Sequence, residues 1–226
     1  MRKEKNKIIS EFSSPLRYPG GKTRLAGFLY KAIEKNFSKN EKIILAEPYA
    51  GGAGASLKLL FSGKVDRIII NDLDKAIFAF WKIVIADTDF LINKIKKVNI
   101  DIEEWKKQKE IYNNPSSSIK DLAFATLFLN RTNRSGIIEG GPIGGMEQAG
   151  FWNVQARFTK NTIISRLEKI KKFRDKISVR NLDGITLLKQ LEKNKCKNRY
   201  FIFLDPPYYQ KGKSLYLNHY INKDHR

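Results

Sequence analysis

The sequence predicts an α/β fold built on a parallel sheet, and two observations carry that expectation. Four short apolar runs are near-continuous rather than alternating, and helical patterns lie between them. Parallel strands covered on both faces read this way, and strands alternating with helices imply right-handed crossovers. The first run, Lys42 to Ala46, ends at Glu47-Pro48 and a glycine cluster, and the second, Arg67 to Ile70, ends at Asn71-Asp72. The third, Ile177 to Arg180, is short and weak, and the fourth, Tyr200 to Leu204, ends at Asp205-Pro206-Pro207. Leu25, Phe28, Leu29, Ala32 and Ile33 fall on one helical stripe, and Leu73 to Ile85 reads as a second helix. Residues 87–176 break the rhythm: they hold three amphipathic segments, no convincing strand, and a Gly-rich stretch from Gly136 to Gly150. From Ile137 onward that stretch should be a loop. A mostly helical lobe over 87–176, inserted between the second and third strands of a domain formed by 1–86 and 177–226, is therefore expected.

A chain of 226 residues can bury one good core, or one core with an inserted lobe. No stretch approaches the ~20 apolar residues that span a bilayer, and the basic N-terminus lacks the apolar run of a secretory signal. A cytoplasmic protein is expected. The single cysteine, Cys196, excludes an internal disulfide, and two histidines, His219 and His225, leave little for a metal site, so none is expected. Lys and Arg number 43 against 23 Asp and Glu, a net charge of +20. A field of that sign attracts polyphosphate backbones. An AT-biased gene would also enrich lysine, so the charge supports a nucleic-acid partner without establishing one.

In open α/β sheets ligands bind beyond the carboxyl ends of the strands, where the strand order reverses. Three of the four runs end there in polar, Gly-rich or Pro-rich sequence. In Glu47-Pro48-Tyr49-Ala50-Gly51-Gly52-Ala53-Gly54 the closely spaced glycines let the backbone turn tightly and approach a ligand, which makes Tyr49, Gly51, Gly52 and Gly54 candidate cofactor contacts. Asp72, at the end of the next strand, can accept hydrogen bonds from both hydroxyls of a ribose. A dinucleotide site wants a third glycine where Leu57 stands, whereas a nucleoside cofactor without a pyrophosphate does not. The same glycines also fit a strand–helix turn with no ligand. Gly20-Gly21-Lys22-Thr23 imitates the end of a phosphate loop, but Leu16 occupies the position of the first glycine and no apolar strand precedes it, which argues against ATP.

Asp205-Pro206-Pro207-Tyr208 carries the sharpest chemistry. The N6 amine of adenine is a poor nucleophile because its lone pair is delocalised into the ring. A carboxylate (Asp205) and a carbonyl (Pro206) accepting both N6 hydrogens would localise that pair. Pro207 stiffens the turn, and Tyr208 offers a face for a base flipped out of the duplex. Taken alone, the segment also fits a strand-ending turn with a surface tyrosine.

Together these elements resemble the Dam-like alpha class of adenine-N6 DNA methyltransferases. The order is Leu16-Arg17-Tyr18-Pro19-Gly20-Gly21-Lys22, then Glu47 to Gly54, Asn71-Asp72, Leu129-Asn130-Arg131 and Asp205 to Tyr208, spanning nearly the whole chain. The resemblance implies a Rossmann-like methyltransferase fold that takes a methyl group from S-adenosylmethionine and places it on adenine in duplex DNA. The domain of 1–86 and 177–226 would bind the cofactor, and the 87–176 lobe would recognise the target. Tyr18 and Lys22 would touch the cofactor, Glu47 would face its methionine amine through its neighbours, Asp72 would hold the ribose, and Leu182 and Asp183 would lie beside its adenine. Asp205 would be the catalytic carboxylate and a cofactor contact. Asn130, Arg131, Asn133, Arg134 and Arg157 become DNA-binding candidates, and Phe151-Trp152-Asn153-Val154 resembles the element that ends the family's recognition loop.

Three departures matter. Arg134 stands where a base-displacing tyrosine is expected, and Glu139 where a guanine-reading arginine can sit, so the target sequence does not transfer. Relatives continue well beyond the D-P-P-Y element, whereas this chain ends at Arg226. The sheet is accordingly expected to be incomplete, its fourth strand at an exposed edge, and the chain weakly active or inactive without a complementing C-terminal fragment. N4-cytosine methylation is the alternative chemistry, although it goes with Ser-Pro-Pro-Tyr. C5-cytosine methylation needs a thiolate, and Cys196 lies between two lysines ahead of the fourth strand. A non-catalytic DNA-binding subunit is the alternative from another class, and a restriction partner and a bacterial nucleoid or phage-infected cell are the settings the resemblance implies.

Overall fold

The computed structural model describes residues 13–17, 25–194 and 199–206. Along the chain these form α1 (Ala26–Asn36), β1 (Ile43–Glu47), α2 (Gly54–Phe61), β2 (Arg67–Asn71), α3 (Lys75–Ala86), α4 (Thr88–Lys97), α5 (Ile102–Asn113), α6 (Ile119–Thr132), a 3-10 helix (Val154–Arg157), α7 (Lys160–Lys171), β3 (Ile177–Arg180), α8 (Gly184–Lys193) and β4 (Arg199–Ile202), with short 3-10 turns at Arg134–Gly136 and Arg174–Lys176. They fall into two compact units. Among the described residues, the first takes in 13–14, 25–78, 175–194 and 199–206, and the second 15–17 and 79–174.

In the first unit the four strands make one parallel sheet in the order β3-β2-β1-β4. The chain runs from β1 through β2 to β3, then returns to the far side of β1 as β4. The topological switch therefore lies between β1 and β4. Register brings Glu47 level with Ile70 on β2, and Ala46 level with Ile202 on β4. The central strands are the apolar ones: Leu45, Ala46, Ile68 and Ile70 are fully buried. Cover on both faces, expected of all four runs, holds for β1 and β2 only. Among the described strands β4 is an edge, and it ends at Ile202 rather than Leu204, which is 53% exposed. Phe203 N still donates to Ala46 O at 2.9 Å, after which Asp-Pro cannot extend the ladder.

Helix boundaries follow local capping. Asp74 accepts from Ala76 N (2.7 Å) and Ile77 N (3.3 Å), so α3 starts later than the apolar pattern alone suggests and leaves Leu73 exposed. In α1 the buried stripe is Ala26, Leu29 and Ile33, while Leu25 and Phe28 are exposed. At 100° per residue Phe28 projects roughly 130° from that stripe, so the expected five-residue face is narrower than its apolar letters imply.

The second unit is helical, and among the described residues it contains no strand beyond one isolated bridge between Asn133 and Pro142. It begins inside α3, earlier than residue 87, and it holds four helices after α3 where the pattern showed three amphipathic segments. Asp87, Asp101 and Ser118 cap α4, α5 and α6 through hydrogen bonds to backbone N–H groups two or three residues into each helix. Phe80, Trp81, Leu91, Ile95, Phe128, Ile163 and Leu167 are buried in this unit. Residues 137–150 form a loop, as their glycines require.

Candidate active site

The floor of the candidate site is built by the segments that follow β1 and β2. After Glu47 the chain turns through Gly51 at φ 47°, a left-handed conformation that glycine adopts without strain. Ala53 N closes the turn on Ala50 O at 2.7 Å, and Ala53 itself sits at φ 47° ahead of α2. The turn directs Gly51 N–H at Asp72 Oδ2, 2.8 Å away, while Asp74 N–H donates to Oδ1 at 3.0 Å. Backbone donors thus hold both carboxylate oxygens of Asp72, and the carboxylate keeps lone-pair capacity for a ligand. Burial pushes this carboxyl up to about 7; backbone donors at Asp74, Gly51 and Leu73 oppose the rise, and the Asp74 charge adds to it.

Asn71 organises the strand ends, a role that reading by motif missed. Its buried Nδ2 donates to Pro48 O and to Leu182 O, both at 2.8 Å, and its Oδ1 accepts from Leu182 N at 3.0 Å. One side chain thereby joins the segments after β1, β2 and β3. Asn181 Nδ2 adds a bond to Asp72 O at 2.7 Å. The signal was available: a polar residue ending a buried apolar strand needs partners from neighbouring loops.

Leu182 is placed there by its backbone, and its side chain packs against Ala46, Leu187 and Leu191. Asp183, expected beside the cofactor, caps α8: Oδ1 accepts from Ile185 N (3.0 Å) and Thr186 N (3.1 Å). Tyr49 lies over the start of the same helix, so that a Cβ on Gly184 would meet its Cζ at 2.5 Å.

Glu47 is 3% exposed and accepts a hydrogen bond from Ser56 Oγ, a second residue that motif reading missed. Burial pushes its carboxyl up to about 8, the Ser56 hydroxyl opposes this, and the charges of Asp205 and Asp72 push further. Carboxyls from the ends of β1 and β2 and from beyond β4 therefore act on one locale. Asp205 is half-buried and Pro206 exposed. Tyr18, Lys22, Pro207 and Tyr208 lie outside the described residues. Among the described residues no cluster of His, Cys, Asp or Glu could hold a metal ion, and no helix is long and apolar enough to cross a membrane.

Within the helical unit, two of the DNA-binding candidates turn out to be internal. Asn130 and Asn133 are fully buried. Asn130 Nδ2 donates to Arg17 O (2.6 Å) and Gly136 O (2.9 Å), and its Oδ1 accepts from Arg17 N (2.7 Å). Asn133 Nδ2 reaches the carbonyls of Ile137, Ile138 and Gly140, and its Oδ1 accepts from Trp105 Nε1 at 2.7 Å. The donors of both amides are taken up by backbone carbonyls and neither side chain has exposed surface for a base, which corrects the expectation for these two. Arg131 is also buried, whereas Arg134 and Arg157 are exposed. Arg157 lies 5.7 Å from the Trp152 ring centroid, and Phe151 beside it is 93% exposed. Glu139 pairs with Lys109 at 3.1 Å.

Comparison with known proteins agrees with this geometry. The family model for D12 class N6 adenine-specific DNA methyltransferases matches residues 18–225. The Type II methyltransferase M.MjaIII of Methanocaldococcus jannaschii is 23% identical over 225 residues, covering 92% of this chain and 73% of that protein. The family's specificity for N6 of adenine decides against the N4-cytosine alternative. With a family match over nearly its whole length, the chain belongs to the D12 class N6 adenine-specific DNA methyltransferases, enzymes that take their methyl group from S-adenosylmethionine.

Proposed function

We propose that Asp205 and the carbonyl of Pro206 activate the adenine amine while the segments after β1 and β2 hold the cofactor, in an enzyme acting on duplex DNA. One observation carries this reading: the segments after β1 and β2 meet where Gly51 N–H bonds Asp72, and β4, which leads to Asp205, pairs with β1 beside them, in keeping with the charges of Asp72 and Asp205 both acting on buried Glu47. The residues present fit a cationic nucleoside. Asp72 keeps acceptor capacity, Gly51 and Gly52 bring backbone close without a Cβ, and three carboxyls favour positive charge. Tyr49, Gly54 and Leu182 complete the wall, and Glu47 balances the methionine ammonium through its neighbours.

S-adenosylmethionine supplies an electrophilic methyl on a sulfonium, which leaves as a neutral thioether. The protein's part is to make the amine nucleophilic. Asp205 accepts one N6 hydrogen and the Pro206 carbonyl the other, so the nitrogen lone pair leaves ring conjugation and points at the methyl carbon. As the N–C bond forms, the surplus N6 proton passes along the Asp205 hydrogen bond towards solvent. The lobe over 87–176 supplies the DNA contacts, with Arg134 and Arg157 exposed for them.

Mass spectrometry of digested duplex DNA, after incubation with the chain and labelled cofactor, tests this assignment. Asp205→Asn should lower N6-methyladenine formation by about 100-fold or more at saturating cofactor. Asp72→Ala should abolish cofactor binding itself. Undiminished methylation by Asp205→Asn would overturn the mechanism.

A further inference from the structure

Among the described residues of the helical unit, the large apolar side chains left exposed are Ile119, Met146, Phe151 and Trp152, and the last three share one loop. Phe151 is 93% exposed and stands almost free of the protein; Trp152 beside it is 59% exposed. Water disfavours two adjacent bulky aromatic side chains at a surface, and an apolar patch of this kind marks a contact made with another molecule.

The segment that carries them is fixed on both sides. Gln148 Oε1 accepts from Val154 N at 2.8 Å, and its Nε2 donates to Ile143 O at 2.9 Å, a staple across the base of the loop. Gly144, at φ 86°, lies so close to the returning chain that a Cβ there would fall 2.7 Å from Trp152 O. Asn153 caps the 3-10 helix Val154–Arg157 by accepting from Gln155 N at 3.1 Å, and Val154 is buried. The Trp152 ring has the Arg157 guanidinium 5.7 Å from its centroid and meets the Phe151 ring edge to face, with centroids 5.1 Å apart at 89°. Phe151 is thus the apolar tip of a stapled loop, backed by a second ring and a cation.

The charges nearby say what the tip meets. Arg134 and Arg157 are both exposed, and the Arg134 guanidinium reaches this same loop, 3.7 Å from where a Cβ on Gly145 would stand. In a chain of net charge +20, an apolar tip between cations fits a polyanion with an apolar interior. Duplex DNA answers that description, with phosphates outside and stacked bases within.

We infer that Phe151 is a wedge that enters the base stack of duplex DNA, with Trp152 as its backstop. Taking an adenine out of the stack leaves a gap, and an aromatic ring inserted there stacks on the neighbouring bases and favours the extruded state over the paired one. Phe151 touches no reacting atom and acts as a positioning residue. This rests on the duplex-DNA reading above and adds to it the group that holds the stack open.

Two fluorescent duplexes, one fully paired and one with a central abasic site, test the wedge when titrated with the full chain across a salt series. The abasic site offers a seat without the cost of unstacking, so the wild type should bind that duplex about tenfold more tightly. Phe151→Ala should erase the preference. It should also keep the slope of log K against log salt, because Phe151 neutralises no phosphate, and keep the thermal midpoint, because this side chain is not buried. Phe151→Tyr should restore the preference. Equal binding of the two duplexes by the wild type would overturn the proposal, as would loss of the preference together with a flattened salt slope. A preference retained in Phe151→Ala would do the same, and self-association lost in that variant would then assign the patch to a second copy of the chain. N6-methyladenine formed in plasmid DNA by the same wild-type preparation reports the methyltransferase reading separately: its absence would sink that reading, while the two affinities still decide on the wedge.

Discussion

Replacing Glu47 by glutamine keeps the side chain's shape and its acceptor for Ser56 Oγ, but removes a carboxyl that burial holds at about 8. The group's ordinary value is 4.5, so the folded protein retains a proton that the unfolded chain gives up between pH 4.5 and about 8. A raised carboxyl stabilises the fold fully below its unfolded pKa, and that contribution is lost as pH rises through the folded one. Three to four pKa units correspond to a loss on the order of 5 kcal/mol between mildly acid and mildly alkaline solution. Asp72, raised from 3.8 to about 7, acts in the same direction over a lower window. Wild type should therefore lose stability steadily from about pH 5 to about pH 9, and Glu47→Gln should lose much less, becoming the more stable protein at the alkaline end. Chemical denaturation read by hydrogen exchange of β1 is the suitable assay, because Trp81, Trp105 and Trp152 all belong to the helical unit and would report its unfolding instead. Parallel pH–stability curves for the two proteins would refute the reasoning. A net-cationic cofactor placed among these carboxyls should also displace the Glu47 proton, seen as a buffer-dependent heat of binding.

Two further substitutions separate scaffold from contact. Asn71→Asp leaves the carbonyls of Pro48 and Leu182 without their buried donor and adds a charge beside Asp72; a loss of about 3 kcal/mol or more is expected in urea unfolding, with cofactor affinity falling alongside. An unmoved midpoint would show that Asn71 does not organise the strand ends. Asn133→Ala removes three donor bonds and strands Trp105 Nε1, so thermal stability of the helical unit should drop by about 2–4 kcal/mol. DNA affinity should return to the wild-type value on cooling to a temperature where the unit is fully folded; a persistent loss there would restore the base-contact role.

The parts of this protein legible in its sequence are those where residue type dictates geometry. The runs through Ile44 and Ile69 are too apolar to be anything but central strands, and both are central in the sheet. Asp72 and Asp205 stand out as candidates because each follows an apolar run, and ligands of open α/β sheets meet the carboxyl ends of the strands. Phe28 and Leu204 misled, because their letters state a preference for burial and not the direction in which a helix face or sheet edge points. Asp183 carries a related ambiguity: a carboxylate before a helix is called for equally by a ligand and by the helix's own free N–H groups, and it does cap α8.

The asparagines and arginines of the helical unit extend this point. Asparagine is suited to reading adenine and equally suited to tying a loop, since both tasks use a donor and an acceptor on a short side chain. Burial decides between them, and Asn130 and Asn133 have no surface to offer. For arginine burial poses a different question: Arg131 is 7% exposed and its Nε has no hydrogen-bond partner, so a letter that reads as a surface cation is here an interior one.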